Sequence, residues 1–236
     1  MICCGIRMTE LAAAARLNTC IPSRISIGLL AFMLFSLIYS SASLASNAVQ
    51  AIQPDDSELE QVRLLFKEGK VLYTEMTHIF TDAYTGETQI VTGKLWISGE
   101  KYKIRTENQI VLVDGAVSKV YNQQQNKLVV SQYEPEEDEF APSRFFSGTD
   151  EIFKVAEVTR RGGTIHYTLV SEDPFEVFTK VTIILNNDLS PLEIIAIDQM
   201  ENEFRTIFRN AHYQEYSSNL FAMDFPEDAE VIDMSR

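Results

Sequence analysis

Three histidines, three cysteines and one acidic run are the side chains of this chain whose chemistry invites a catalytic or metal-binding reading. His78, His166 and His212 fall in three different predicted strands, with no metal-ligand spacing between them. A surface strand position is the plainer reading of each. Cys3, Cys4 and Cys20 all precede the apolar run at 25–39. A chain processed behind that run has no thiol, which excludes a thiol nucleophile and a thiolate zinc site. Glu134, Glu136, Glu137, Asp138 and Glu139 lack the glycine turn and the ligand alternation of an EF-hand loop, so they read as a solvated charge run. The chain carries no G-x-S-x-G, H-E-x-x-H, phosphate-binding loop or dinucleotide fingerprint. Paired carboxylates for glycoside hydrolysis are defined by a distance in space, and nothing in the sequence singles out a pair. The expectation is no catalytic residue, no metal and no cofactor, with an enzyme ranked below the binding readings.

Residues 25–39, ISIGLLAFMLFSLIY, follow Arg24 and lead into small residues ending in Ser43-Leu44-Ala45. A basic flank, an apolar stretch shorter than the roughly twenty residues of a membrane span, and a small-x-small exit predict a signal peptide over 1–45. An uncleaved membrane anchor is the alternative. None of the cysteines stands in a lipobox-like setting behind the apolar run, so no lipid anchor on the chain itself is expected. A polar linker at 46–56 and one domain at 57–236 complete the predicted organisation, in the periplasm. Removing residues 1–45, with Arg7, Arg16, Arg24 and Glu10, leaves 17 basic against 33 acidic residues, a net of −16. That charge repels phosphates, so no nucleic-acid partner is expected, and it disfavours anionic lipid headgroups. The plainest role of the acidity is solubility.

The elements follow from periodicity. Ser57 and Glu60 have the spacing of a capping box, Leu59, Val62 and Leu65-Phe66 make one apolar stripe, and Gly69 suits the left-handed position past a helix end. One amphipathic helix is predicted there. From Val71 the period becomes two. Strands are predicted at 89–97, 101–106, 109–113, 116–121, 127–133, 152–159, 164–170, 176–185, 192–198, 203–213 and 220–225, separated by turn residues. Asp114-Gly115 is expected to form a type I′ hairpin turn. Between the two sets of strands, Pro142 opens a predicted short helix carrying Phe145 and Phe146, placed as a lid over one mouth of the sheet. The pattern is that of a mainly β, α+β domain: a large antiparallel sheet curled toward a barrel.

Several of these strands are apolar on both alternating sets, among them Ile110 to Val113, Val181 to Leu185 and Ile194 to Ile197. A sheet with one wet face alternates more cleanly. Two readings account for this. One is a well-filled sandwich or helix-covered sheet, and the other is a concavity for an apolar ligand.

Order and spacing of short motifs separate the two. Gly93-Lys94-Leu95-Trp96-Ile97, Lys101-Tyr102-Lys103-Ile104, Leu112-Val113-Asp114-Gly115 and Val120-Tyr121-Asn122 follow one another, then Pro142 to Gly148, then Leu220 to Pro226 and Glu230 to Asp233. Over Leu59 to Asp233 this resembles the periplasmic outer-membrane lipoprotein carrier family, the LolA type. Its members run G-x-L-W-V, a K-F/Y-R/W strand, L-V-S-D-G, W-x-Y-N-P and a closing F-x-F-x-P…V-I segment. The resemblance implies an incomplete antiparallel β-barrel, a half-barrel, with an N-terminal helix and a short middle helix covering an apolar cavity. It implies a chaperone that takes triacylated lipoproteins from an inner-membrane ABC transporter and passes them to an outer-membrane acceptor. Burying acyl chains is worth about 0.8 kcal/mol per CH₂, so crossing water requires a matching apolar lining and no catalytic residue.

By alternation, the expected cavity lining is Leu95, Ile97, Tyr102, Ile104, Tyr121, Val181, Ile183, Leu185, Phe204 and Phe208. The expected lid is Leu59, Val62, Phe66, Phe145 and Phe146. Each has a plain core reading beside it, and a slip of one residue reverses the facing of a strand. One departure stands out. The best-studied branch of the family carries Arg-Pro after L-W-V, an arginine that bonds the lid, whereas Ile97 here precedes Ser98-Gly99. Arg105 and Arg144 are the candidates to replace it. The runner-up function is a lipid- or lipoprotein-sensing regulatory module of the same half-barrel, without carrier activity.

Overall fold

Helix α1 (Ser57–Lys67) is built on one stripe, with Leu59, Val62 and Phe66 buried. It ends as the sequence predicts. Gly69 takes φ +81°, its N–H donates to Phe66 O and that of Lys70 to Leu65 O, each at 3.0 Å, which is the Schellman arrangement. The start differs. Asp56 is the N-cap, no side chain caps the helix, and Ser57 is already inside it. Glu60 is drawn to Arg63 instead of reaching back, so the capping box does not form. These statements come from a computed structural model that describes residues 56–135, 138, 141–142, 144–147 and 152–235. The expected leader (1–45) and all of the expected linker except Asp56 lie outside the described residues, as do Glu136, Glu137, Glu139, Ser143 and Gly148.

Among the described residues, twelve strands make one sheet. Its first half is a meander of β1 (Val71–Thr81), β2 (Thr88–Ser98), β3 (Lys101–Thr106), β4 (Gln109–Val113), β5 (Val117–Asn122) and β6 (Lys127–Gln132). Helix α2 (Arg144–Ser147) follows. The second half is β7 (Phe153–Arg161), β8 (Thr164–Ser171), β9 (Phe178–Asn186), β10 (Pro191–Asp198) and β11 (Glu203–Gln214). A 3-10 turn at Ser218–Phe221 and β12 (Glu230–Met234) close the chain. The order across the sheet is β12-β6-β5-β4-β3-β2-β1-β11-β10-β9-β8-β7, so β12 and β7 are its two edges and the barrel stays open. All pairings are antiparallel except β12 with β6.

Side-chain alternation decides which residues share the face that carries α1 and α2. On β1 and β2 these include Leu72, Met76, Leu95 and Ile97, and on β8 and β9 Ile165, Tyr167, Leu169, Val181, Ile183 and Leu185. Strand β11 would lose this parity halfway. Phe204 and Phe208 face inward, then Asn210 takes φ +55° in a bulge opposite Thr74, and Ala211 and Tyr213 face inward beyond it. The buried Thr74 hydroxyl lies 3.0 Å from Arg209 O at this bulge. Gly93 marks the other sharp point. A Cβ there would come within 2.6 Å of Arg105 O, so only glycine lets β2 and β3 approach this closely.

Two expectations are corrected here. Asp114-Gly115 does not make a two-residue turn. Gly115 alone has positive φ, and the Asp114 carboxylate accepts N–H bonds from Ala116 and Val117 in a wider loop. Residues 220–225 are not a strand either. Beyond the 3-10 turn they cross the outer face as a strap, with Lys103 Nζ donating to Ala222 O (3.3 Å) and Phe225 6.1 Å from the Tyr121 ring. Strand pairing then resumes at Glu230 along β6.

Candidate functional site

The inward face holds a cavity of about 360 Å³. Cross-strand registry explains its lining. Met76 of β1 pairs with Phe208 of β11, His78 with Thr206, Ile194 of β10 with Thr206, and Ala196 with Phe204. On the other wall Leu95 pairs with Ile104, and Ile104 with Val111. Pro142 and Phe145 of the α2 segment, together with Phe178, complete the lining. Phe145 lies 6.0 Å from Phe178 and 6.2 Å from Phe153 by ring centroid. Phe146, 1% exposed, packs between Phe66 and Phe208 at 6.3 and 6.1 Å.

The predicted lining residues divide three ways. Leu95, Ile104, Phe204 and Phe208 border the cavity. Ile97, Tyr102, Val181, Ile183 and Leu185 share the same face but fill solid core around it, buried to 6% exposure or less. Tyr121 faces the other way. Its row is Ile110–Tyr121–Leu128, whereas Val111–Val120–Val129 is the inward row one residue along. Tyr121 therefore belongs to the outer-face cluster under Met223 and Ala229, and its hydroxyl donates to Asn126 Oδ1 (2.9 Å). Of the predicted lid, Phe145 borders the cavity, while Leu59, Val62, Phe66 and Phe146 lie in the core that α1 and α2 share with the sheet.

Met76, Thr206, Ile194 and Ala196 were not among the predicted lining residues. Thr206 was the most legible, since it stands between Phe204 and Phe208 in one alternating set. His78 corrects its surface reading: it is half-buried in the cavity wall, Nδ1 2.9 Å from Thr206 Oγ1, and burial holds its pKa below the usual histidine value. His166 sits beside Thr164 on β8 and His212 is exposed on β11. Among the described residues, no three His, Cys, Asp or Glu side chains converge as a metal-binding group.

Charge is kept out of the cavity by the same alternation. Lys94 and Arg105 point to the opposite face, where they line a separate cleft beside Trp96. Arg205, also on that side of β11, pairs with Glu193 and Glu203. The guanidinium nearest the lid belongs to Arg144 of α2. It donates to Glu176 Oε2 at 2.8 Å, with the two side chains 14% and 5% exposed. Glu176 lies in the β8–β9 loop, so this ion pair ties α2 to that loop. Tyr102 makes a second tie, donating to Asp138 Oδ2 (2.5 Å). One member of the acidic run is therefore bound, not merely solvated. At the other end of the domain, Glu58 of α1 accepts from Tyr167 (2.6 Å) and Arg160 (2.8 Å), and these bonds pull its pKa down to about 2.

No family model and no curated protein matches this chain. Solved structures do. An uncharacterized conserved protein from Thermus thermophilus superposes with a TM-score of 0.50 at 11% identity, over 74% of this chain and 98% of that one. The LolA superfamily protein NE2245 from Nitrosomonas europaea gives 0.40 at 10% identity, over 71% and 97%. A proposed outer membrane lipoprotein-sorting protein domain from Vibrio parahaemolyticus gives 0.36 at 14%, over 70% and 94%. The likeness to the Thermus protein is one of fold and runs across nearly the whole length of that protein.

Proposed function

We propose that this protein binds acyl chains in the cavity between α2 and the sheet, and carries lipid-modified cargo through an aqueous compartment outside the cytoplasm. The observation that supports this most directly is an apolar cavity whose described lining residues include no Lys, Arg, Asp or Glu, opening under a four-residue helix. If a methylene displaces roughly the 30 Å³ of a liquid water, the cavity as it stands takes on the order of a dozen carbons. Burying these is worth about 10 kcal/mol at ~0.8 kcal/mol each. A triacylated lipoprotein has more chain than that, so its remaining chains require α2 and Phe146 to leave the sheet. Delivery by an inner-membrane ABC transporter, and transfer to an outer-membrane acceptor, follow from the sequence resemblance as part of the same proposal.

The test is direct. The protein without its leader should take up a fluorescent acyl probe, release lipoprotein from inner-membrane vesicles that hold the transporter, and deliver it to acceptor membranes. Probe uptake no greater than that of an unrelated periplasmic protein would end the proposal. Uptake without delivery would favour the lipid-sensing alternative.

A further inference from the structure

Four polar residues stand among the apolar ones that line the cavity: His78, Thr106, Gln109 and Thr206. Two of these form a turn of their own, since the Gln109 N–H donates to Thr106 Oγ1 (3.1 Å). His78 and Thr206 are different. They face each other across the central β1–β11 pairing, and His78 also pairs with Val91, which is 45% exposed at the rim. Among the described residues, His78 Nδ1, 2.9 Å away, is the one hydrogen-bond partner of the Thr206 hydroxyl, and we assign the hydroxyl as the donor because Nδ1 is the one group there that can take its proton. With that hydroxyl donating to Nδ1, the ring proton of neutral His78 stays on Nε2. Nε2–H is then a hydrogen-bond donor on the cavity wall that meets no partner among the described residues.

The surroundings define what that donor can meet. Among the described residues, His78 is the single titratable side chain of the cavity lining, and packed against it are Thr206 and Phe204 of β11 and Val91 of β2, none of them ionisable. Arg144 is committed to Glu176, while Lys94, Lys103 and Arg105 are placed by strand parity on the other face. An anionic head group brought to this rim would lose water without gaining a counter-charge, at large cost. An uncharged carbonyl would gain a hydrogen bond and lose little.

We infer that His78, oriented by Thr206, selects acyl ligands whose chain ends in an uncharged carbonyl acceptor and discriminates against free fatty-acid anions. This rests on the acyl-binding reading above and adds to it a specificity-determining residue and the class of head group that it admits.

Competition against a bound fluorescent acyl probe tests this with three displacing ligands: methyl palmitate, palmitate and hexadecane. In the native protein at neutral pH, the ester should displace the probe about tenfold better than either of the others, the span of one net hydrogen bond. His78→Phe keeps the wall apolar and should bring the three ligands to within about twofold of one another. Thr206→Val, which removes the hydroxyl that sets the ring proton, should weaken the ester preference while leaving hexadecane unchanged. Palmitate equal to the ester at neutral pH, or an ester preference that survives His78→Phe, overturns the inference. A native protein that takes up no probe overturns the acyl-binding reading itself, and probe uptake with a flat ligand ranking overturns the selectivity alone.

Discussion

Removing the Arg144 guanidinium should loosen α2 while leaving the sheet intact. In the closed form, Arg144→Met leaves the Glu176 carboxylate, 5% exposed, without its cation. Stranding one partner of a buried ion pair costs about 3–5 kcal/mol. That cost falls on the closed lid, because lifting α2 lets Glu176 hydrate without breaking any sheet pairing. Against it stands the burial of Phe146 and Phe145, about 1.5–3 kcal/mol for a fully buried phenylalanine and less for the partly exposed one. The opening constant of the lid should rise by two decades or more, at about 1.4 kcal/mol per decade. Hydrogen exchange followed by mass spectrometry reads this from peptides covering 141–152, with β9 and β10 as internal reference. The double variant Arg144→Met with Glu176→Met removes both charges and should recover most of the protection. Exchange in 141–152 that changes by less than about threefold, or faster exchange spread evenly over β9 and β10, would refute the assignment of this ion pair as the lid tie.

Three further outcomes follow from features of the frame. Gly93→Ala forces its Cβ against Arg105 O, 2.6 Å away, and should cost about 1–3 kcal/mol in urea unfolding; an unchanged midpoint would contradict the close approach of β2 and β3. Glu58 has a folded pKa near 2, below its unfolded value near 4.5, so its bonds to Tyr167 and Arg160 stabilise fully above the unfolded value and are lost as pH falls toward 2. Glu58→Gln should flatten that acid limb of a Tm-against-pH curve, and a limb of the same slope would argue against it. Met223→Asp places a carboxylate over Ile110, Tyr121 and Leu128 and should cost about 2 kcal/mol, with amide exchange rising first in β12; a uniform rise across the sheet would show that the strap is not a separable element.

The strands were legible in the sequence because alternation and turn residues are local signals, and most predicted boundaries fall within two residues of the observed ones. Facing was less legible. Val120 and Tyr121 are adjacent apolar residues, and Tyr121 is the larger, yet the register with Val111 and Val129 turns Val120 inward. The outer face under Tyr121 is covered by the strap, a tertiary contact that makes a second apolar row necessary. Residues 220–225 look like a strand for the same reason, since Phe221, Met223 and Phe225 alternate and the last two meet the apolar row at Tyr121, though without strand pairing. The arginine tie was nearly invisible. Arg144 and Glu176 are 32 positions apart and meet only because α2 folds back over the β8–β9 loop. His78 reads as a solvent-facing strand residue until the curl of the sheet carries that end of β1 into the cavity wall.

The central pairing of the sheet joins strands far apart in the chain: Met76 and Phe208, opposite each other on β1 and β11, are separated by 132 positions. Each half, β1–β6 and β7–β11, is a run of local hairpins able to assemble early, but the seam between them carries the entropy of closing a long loop and forms late. Until it forms, both halves present their greasy sides to water and to one another's copies. A chain that emerges N-terminus first therefore remains vulnerable to aggregation until Gln214 is free, after which a single joining event completes the cavity wall and hides both surfaces together.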